Sequence, residues 1–216
     1  MLIVENKPRS VAAESYRTLR TNIQYSSFDE ECKSIVITSS EPGEGKSTTA
    51  ANLALSLAQG EKKVILIDCD LRKPSIHKKF KISNLTGLSD VLIGQKKLIQ
   101  VLKRHGDNLL LLTSGKIPPN PSEMLGSKAM KNLLKELREN FDYIIIDTPP
   151  VQAVTDSQVL STEADGTLLV IKAEKTKKDS VHNSINLLRK VNANIIGTVL
   201  NGVNNNSENY HYYGEK

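Results

Sequence analysis

Residues 39–48 read SSEPGEGKST, and this short stretch decides the predicted fold of the chain. An apolar run suited to a β-strand precedes it at 35–38, and a run suited to a helix follows it at 50–58. Strand, glycine-rich turn and helix, in this order, form the setting of a phosphate-binding loop. The sequence therefore predicts a P-loop, in which backbone N–H groups and a helix N-terminus bind the phosphates of a nucleotide.

The residues of this loop have distinct predicted roles. Gly43 and Gly45 allow the backbone to wrap around an anion, Lys46 is expected to reach the β- and γ-phosphates, and the Ser47 hydroxyl is expected to bind Mg²⁺. One position departs from the pattern GxxxxGK[ST], since Ser40 stands where the first glycine belongs. An ordinary glycine-rich turn is the competing interpretation, and the flanking strand and helix disfavour it. The predicted ATP-binding residues of the loop are Gly43, Glu44, Gly45, Lys46, Ser47 and Thr48.

The composition limits the class of protein. With 216 residues, 38% of them hydrophobic, one α/β domain is expected. The sequence has no window near the ~20 apolar residues that span a bilayer, and its N-terminus does not resemble a secretory signal, so a cytoplasmic location is expected. Cys32 and Cys69 lack C-x-x-C spacing, which favours free thiols. The net charge of +5 comes from dispersed lysines, a pattern that disfavours nucleic-acid binding.

Two apolar strands downstream of the loop run into aspartates. The run at 63–67 leads into Asp68 and Asp70, and the run at 143–146 leads into Asp147. The carboxyl ends of parallel strands line the ligand crevice of an open sheet. Asp147 therefore has the character of a Walker B residue, which holds Mg²⁺ directly or through water. For Asp68 and Asp70 two interpretations stay open, namely a metal ligand or general base, and a cap for the following segment.

The N-terminal region predicts an amphipathic helix over 10–26 with Ser10 as its N-cap. Glu14, Arg17 and Arg20 are three residues apart and share one face. From spacing alone, an intrahelical Glu14–Arg17 pair on a solvent-exposed face explains them. The sharper alternative is a charged strip that docks on another subunit.

The rest of the chain completes the predicted fold. Further strands are expected at 109–113, 166–171 and 195–200, with helices at 128–139 and 180–191. Short helical pieces are expected at 88–93 and 97–102, and Ser122 with Glu123 is a possible helix start. The sequence thus predicts one P-loop NTPase domain over 1–203, with a mainly parallel sheet and helices on both faces. Asn201, at the end of the last strand, is a candidate contact for the base of the nucleotide.

The C-terminal stretch 204–216, NNNSENYHYYGEK, is predicted to be a flexible tail because it lacks apolar periodicity. It holds Tyr210, Tyr212 and Tyr213, half of the six tyrosines in the chain. Chance composition or packing on a partner is one explanation. The functional explanation is a cluster of phosphate acceptors.

Taken together and in this order, these stretches resemble the bacterial tyrosine kinases (BY-kinases) of the short cytosolic CpsD/CapB type, from capsule and exopolysaccharide operons. The resemblance covers essentially the whole chain. It rests on six features: SSEPGEGKST at 39–48, ILIDCDLRKP at 65–74, TSGKIPPNPSEML at 113–125, DYIIIDTPP at 142–150, the E-x-x-R-x-x-R pattern at 14–20, and the tyrosine tail.

The resemblance implies roles at the matching positions. Asp68 and Asp70 would form the second acidic motif, Walker A′, and Asp147 would be Walker B. Lys46, Asp68 and Asp70 would be catalytic, with Asp68 favoured as the base, whereas the expected metal set is Ser47, Asp68 and Asp147. The strip of Glu14, Arg17 and Arg20 would lie on a self-association face. The related MinD and ParA ATPases share the implied fold, but they carry a signature lysine where Glu41 stands here.

The resemblance also implies a function and partners. The expected enzyme uses ATP and Mg²⁺ to phosphorylate its own tail tyrosines between subunits of a homo-oligomeric ring, and it regulates capsular or extracellular polysaccharide synthesis and export. The implied activator is the cytosolic tail of a membrane-anchored polysaccharide co-polymerase, which would place the kinase at the inner face of the membrane. Other protein substrates and a tyrosine phosphatase are further implied partners. The alternative is a MinD/ParA-like ATPase switch without kinase activity.

Overall fold

In the computed structural model, which describes residues 1–26 and 32–203, a seven-stranded sheet forms the centre of the fold. Its strands are β1 (Ser34–Ser39), β2 (Val64–Asp68), β3 (Lys103–His105), β4 (Leu109–Leu112), β5 (Tyr143–Asp147), β6 (Gly166–Lys172) and β7 (Ile195–Asn201). Their spatial order is β3-β4-β2-β5-β1-β6-β7. All neighbouring strands are parallel except β3, which pairs antiparallel with β4.

Ten helices accompany this sheet in the described residues. They are α1 (Ile3–Asn6), α2 (Val11–Ser26), α3 (Lys46–Gln59), α4 (Ile76–Phe80), α5 (Leu88–Leu92), α6 (Leu98–Val101), α7 (Pro121–Leu125), α8 (Lys128–Asn140), α9 (Asp156–Ser161) and α10 (Lys178–Lys190).

The core lies on both faces of the sheet. Successive side chains of a strand point to opposite faces, so Ile35 and Ile37 of β1 pack with α1 to α4, whereas Val36 packs with α5 to α9. Each fully buried aliphatic side chain contributes roughly 1.5–3 kcal/mol to folding. Burial on both faces explains the continuous apolar runs of the sequence and fixes the strand that carries the P-loop.

The predicted fold class is confirmed, with four short elements added. Helix α2 begins where the sequence predicted it, and the Ser10 hydroxyl accepts a hydrogen bond from the Ala13 N–H at 3.2 Å as an N-cap does. Sequence reasoning did not detect α1, α4, α9 or β3, which span three to six residues each. Elements this short do not complete enough turns or alternations to show periodicity.

The register of the sheet brings three strand ends together. Strand β5 lies between β1 and β2, and within this register Asp147 is opposite Ile37 on one side and Asp68 on the other. The P-loop follows β1, so it leaves the sheet beside both aspartates. The parallel topology therefore assembles the loop and the acidic strand ends at the carboxyl edge, where open α/β sheets bind ligands.

The tail 204–216, with Tyr210, Tyr212 and Tyr213, lies outside the described residues, and its predicted flexibility stays a prediction. Across 1–26 and 32–203, we find no helix with the length and apolar character needed to span a bilayer.

Candidate functional site

The P-loop has the backbone that its glycines allow. Gly43 and Gly45 have φ angles of +83° and +100°, values that favour glycine. A Cβ on Gly45 would also lie 1.9 Å from the Asn201 side-chain nitrogen, which leaves no room for any larger residue. Helix α3 begins directly afterwards at Lys46, so its free N–H groups point into the loop.

Side chains on the outside of the loop hold it in place. The Glu44 carboxylate accepts the Glu41 N–H at 3.0 Å and contacts the Thr176 hydroxyl. The Ser180 hydroxyl donates to Glu41 at 2.8 Å, and the Asn201 amide donates to the Glu44 carbonyl at 2.9 Å. The Glu44 side chain is thus used to support the loop, which leaves its backbone N–H for a phosphate. The acid at position 41, where MinD and ParA carry a lysine, is part of the same support.

Lys46 lies among the acidic residues of the strand ends. Its ammonium group is 2.8 Å from Asp70 Oδ2 and 3.8 Å from Asp147 Oδ1. Burial lowers the pKa of Lys46, but the charges of Asp147 and Asp70 outweigh this effect, so its pKa lies above the usual value. Lys46 is therefore charged and is held at the mouth of the loop.

Asp147 lies at the end of β5, beside the P-loop. It is fully buried, and neither carboxylate oxygen has a hydrogen-bond partner among the described residues. Burial raises the pKa of Asp147, whereas the adjacent Lys46 and Ser47 oppose the rise. A buried carboxylate without partners is costly to folding, and such groups are usually paired or bind metals.

The two carboxylate oxygens of Asp68 differ in their surroundings. Its Oδ2 accepts the N–H groups of Ser75 and Ile76 at 3.0 and 2.9 Å and so caps α4, while Oδ1 is buried without a partner among the described residues. Burial, followed by the charge of Asp147, raises the pKa of Asp68 to about 8. One oxygen serves the fold and the other remains for chemistry.

Asp70 differs, because both of its oxygens are engaged. Oδ1 accepts the Lys73 N–H at 3.0 Å, and Oδ2 pairs with Lys46. Asp70 therefore orients the P-loop lysine.

The donor set fits Mg²⁺. Asp68 Oδ1 and both Asp147 oxygens are buried and accept no hydrogen bond from residues that the structure describes, and hydroxyl and carboxylate oxygens are the ligands that this hard cation prefers. The part of the chain that the structure describes has no group of three or more His, Cys, Asp or Glu side chains arranged to hold a metal alone. Magnesium in nucleotide sites typically takes its other ligands from phosphates and water, so such a group is not required.

Sequence reasoning missed two basic residues at this edge. The Lys79 ammonium group of α4 donates to the Thr48 hydroxyl at 2.8 Å. The Arg72 guanidinium contacts the buried Asp156 through two nitrogens at 3.0 and 3.1 Å, and it also reaches Ser122 at 3.1 Å. The cluster of basic residues at 77–79 was the available signal for Lys79, but α4 was needed to place it.

The predicted self-association strip makes contacts within its own chain. Arg17 pairs with Glu14 at 2.7 Å and donates to the Pro8 carbonyl at 2.6 Å, whereas Arg20 donates to the Ser56 carbonyl at 2.6 Å. The intrahelical pair expected from spacing is confirmed. Self-association through this strip stays a prediction.

Comparison with known proteins identifies the family of this chain. The family model described as an AAA domain matches residues 32–200. The tyrosine-protein kinase YwqD of Bacillus subtilis is 46% identical over 218 residues, which cover 100% of this chain and 92% of YwqD. The tyrosine-protein kinase CpsD of Streptococcus agalactiae is 37% identical, over 98% of this chain and 93% of CpsD.

Solved structures give the same result. The chimerical protein CapA2B2 superposes with a TM-score of 0.89 at 42% identity, over 92% of this chain and 88% of that one. MinD of Pyrococcus horikoshii with Mg-ADP has a TM-score of 0.66 at 24% identity, over 78% of this chain and 69% of its own, and shows the fold alone. With a nucleotide-binding P-loop, acidic strand ends and near full-length relatives that are tyrosine kinases, this chain belongs to the bacterial tyrosine kinases of the CpsD/CapB/YwqD type.

Proposed function

We propose that this kinase transfers the γ-phosphoryl group of ATP to its own tail tyrosines, Tyr210, Tyr212 and Tyr213. The observation that carries the proposal is the grouping of Lys46 with the incompletely bonded Asp68 and Asp147 beside the P-loop. This grouping supplies a cation for the phosphates and open carboxylate oxygens for a metal and a proton. Phosphoryl transfer requires positioning and charge stabilisation of this kind.

The transfer replaces one phosphorus–oxygen bond by another and moves one proton. The tyrosine oxygen bonds to the γ-phosphorus, the bond from that phosphorus to the β,γ-bridging oxygen breaks, ADP leaves, and the hydroxyl proton passes to a carboxylate. Loop N–H groups and Lys46 hold the phosphates in line for the attack. Ser47 and Asp147 are the residues that would hold Mg²⁺ directly, with the Asp68 carboxylate beside it, and the ion when bound would neutralise phosphate charge.

Asp68 is the better candidate for the base. Its Oδ1 has no hydrogen-bond partner among the described residues, whereas both oxygens of Asp70 are engaged. A carboxylate whose pKa is raised to about 8 is also matched to a tyrosine hydroxyl, whose pKa is near 10. We propose that Asp70 positions Lys46. Asn201 is proposed to contact the nucleobase in addition to supporting the loop.

The organisation proposed for the whole protein follows the family. Residues 1–203 form the kinase domain, and the tail 204–216 is phosphorylated by a neighbouring subunit in a ring assembled through the strip of Glu14, Arg17 and Arg20. Phosphates added to the tails would weaken this assembly by like-charge repulsion.

The proposed activator is the cytosolic tail of a membrane-anchored polysaccharide co-polymerase, which holds the kinase at the inner face of the membrane. The name of the similar chimerical protein CapA2B2 supports a partner of this kind. Through this partner, the kinase regulates capsular or extracellular polysaccharide synthesis and export. Other protein substrates and a tyrosine phosphatase complete the proposed set of partners.

The test is a phosphotyrosine blot of the purified full chain with Mg-ATP, with and without the cytosolic tail of the partner. Lys46→Met is expected to remove the signal, and simultaneous replacement of Tyr210, Tyr212 and Tyr213 by Phe is expected to remove the acceptors. In a mixture of the two variants, label on the Lys46→Met chain demonstrates transfer between subunits. Full tail phosphorylation of Lys46→Met alone, or signal that survives the triple change, contradicts the proposal.

A further inference from the structure

Lys79 brings a second cation to the P-loop. It lies on the five-residue helix α4, which Asp68 caps, and its ammonium group donates to the Thr48 hydroxyl at 2.8 Å. Thr48 is the third residue of α3, in the first turn of the helix that follows the phosphate loop. Asp68 thus anchors a helix whose lysine reaches back to the nucleotide site.

This lysine has no direct ion-pair partner in the described part of the chain. In residues 1–26 and 32–203, no carboxylate oxygen lies within 4.0 Å of its ammonium nitrogen, which donates a hydrogen bond to the neutral Thr48 hydroxyl. Partial burial lowers the pKa of Lys79, the more distant charges of Asp147 and Asp68 raise it, and Lys46 lowers it by like-charge repulsion from the same loop. The N-terminus of α3 carries partial positive charge as well.

A purely structural role would be to link α4 to α3. A neutral amide would make the same hydrogen bond to Thr48 without placing a partly desolvated cation beside Lys46 and a helix N-terminus. An ammonium group has three donors, and the Thr48 contact uses one of them. An arriving polyanion would satisfy the other donors and remove the repulsion.

We propose that Lys79 is a second phosphate-binding cation of the nucleotide site, which contacts the phosphates shared by ADP and ATP on the Thr48 side of the loop. This inference rests on the proposed use of ATP. Because ADP and ATP share these phosphates, Lys79 strengthens the binding of both nucleotides and of the transition state alike. Its loss raises KM and the dissociation constant for ADP, with little change in kcat.

The test is calorimetric titration of the full chain with ADP, with Lys78→Met as the matched control. Lys78 lies on the same helix, is exposed, and loses the same charge on substitution. Lys79→Met is expected to weaken ADP binding about tenfold and to flatten its salt dependence, as loss of one charge-assisted hydrogen bond implies. Lys79→Arg is expected to restore most of the affinity, and Lys78→Met is expected to bind as the unmodified chain does.

Equal ADP affinity in Lys79→Met and Lys78→Met overturns the inference, even if the thermal midpoint falls. Should Lys79→Met fail to fold, Lys79→Gln gives the same decision, because its amide can bond Thr48 without the charge. Absence of ADP binding by the unmodified chain would contradict the proposed function itself. The two failures are therefore distinguishable.

Discussion

Aspartates at the two edges of the sheet differ in their hydrogen bonding. At the amino edge, Asp165 Oδ2 accepts the N–H groups of Lys33 and Ser34 at 3.0 and 2.7 Å and the Ser34 hydroxyl at 2.8 Å. Its other oxygen faces Arg138 at 3.4 Å. At the carboxyl edge, Asp147 is fully buried and its oxygens have no hydrogen-bond partner among the described residues.

This difference distinguishes Asp165, whose hydrogen bonds stabilise the fold, from Asp147, whose oxygens are open to a ligand. The hydrogen bonds of Asp165 join the starts of β1 and β6, so its charge contributes to folding. The unbonded oxygens of Asp147 destabilise the nucleotide-free chain, and a bound cation would reverse that effect. The comparison can be tested by replacing the aspartate at each edge with a neutral residue.

The largest effect is expected for Asp147→Asn. We expect kcat for tyrosine phosphorylation to fall about 100-fold or more, because the carboxylate proposed to hold Mg²⁺ beside the transferred phosphoryl group is lost. The thermal midpoint of the nucleotide-free protein is expected to rise, because the substitution removes a buried charge whose desolvation cost outweighs its attraction to Lys46. Phosphotransfer rates and thermal unfolding measure the two effects. A lower midpoint would show that Asp147 stabilises the fold and would remove the contrast.

The second effect concerns Asp165→Ala, which breaks the amino-edge network. Two backbone N–H groups and a guanidinium lose their acceptor, so we expect a loss of about 3 kcal/mol in the free energy of unfolding, or roughly 6–12 °C in the thermal midpoint. Urea unfolding gives the free energy, and kcat below the transition is expected to stay unchanged. A large fall in kcat with full stability would mean that this edge also serves catalysis.

The third effect is a pH dependence that originates at Asp68. Its folded pKa of about 8 exceeds the unfolded value of about 3.9, so between these values the folded state binds more protons. Stability therefore falls as pH rises through this window, by at most about 1.4 kcal/mol per pH unit. Urea unfolding of the nucleotide-free protein at pH 6, 7 and 8 should show the fall, and Asp68→Asn should remove most of it. Identical slopes for both proteins would refute the raised pKa.

The smallest effect on folding is expected for Glu14→Ala. Glu14 is 59% exposed, and such surface pairs contribute about 0.2–1 kcal/mol. Urea unfolding is expected to change little, whereas sedimentation velocity should show weakened assembly if the strip contacts a second subunit. Unchanged assembly would restrict Glu14 to its pair with Arg17.

The parts of the site that follow from local patterns were predictable. An apolar run that ends in a glycine-rich loop or in aspartate shows where a buried strand stops, and parallel topology brings such ends together. The sequence thus located Lys46, Asp68 and Asp147 before their distances were known. It also identified the Glu14–Arg17 pair, because helical spacing alone brings these residues together.

The remainder depends on contacts between distant segments. Lys79 and Thr48 are 31 positions apart, and Glu41 and Ser180 are 139 apart, so their hydrogen bonds exist only after the layers have packed. Asp68 could not be assigned to one role, because one of its oxygens caps α4 and the other has no hydrogen-bond partner among the described residues. No local pattern separates one carboxylate oxygen from the other.

The hydrogen bond from Asn201 to the Glu44 carbonyl links local unfolding at one end of the chain to the nucleotide site at the other. Asn201 ends β7, an edge strand of the described sheet, and edge strands open more readily than central ones. Each opening of β7 removes a support of the P-loop, and a nucleotide that favours the closed loop therefore suppresses opening. Amide protection in β7 thus becomes a readout of occupancy at a loop 157 residues earlier in the chain.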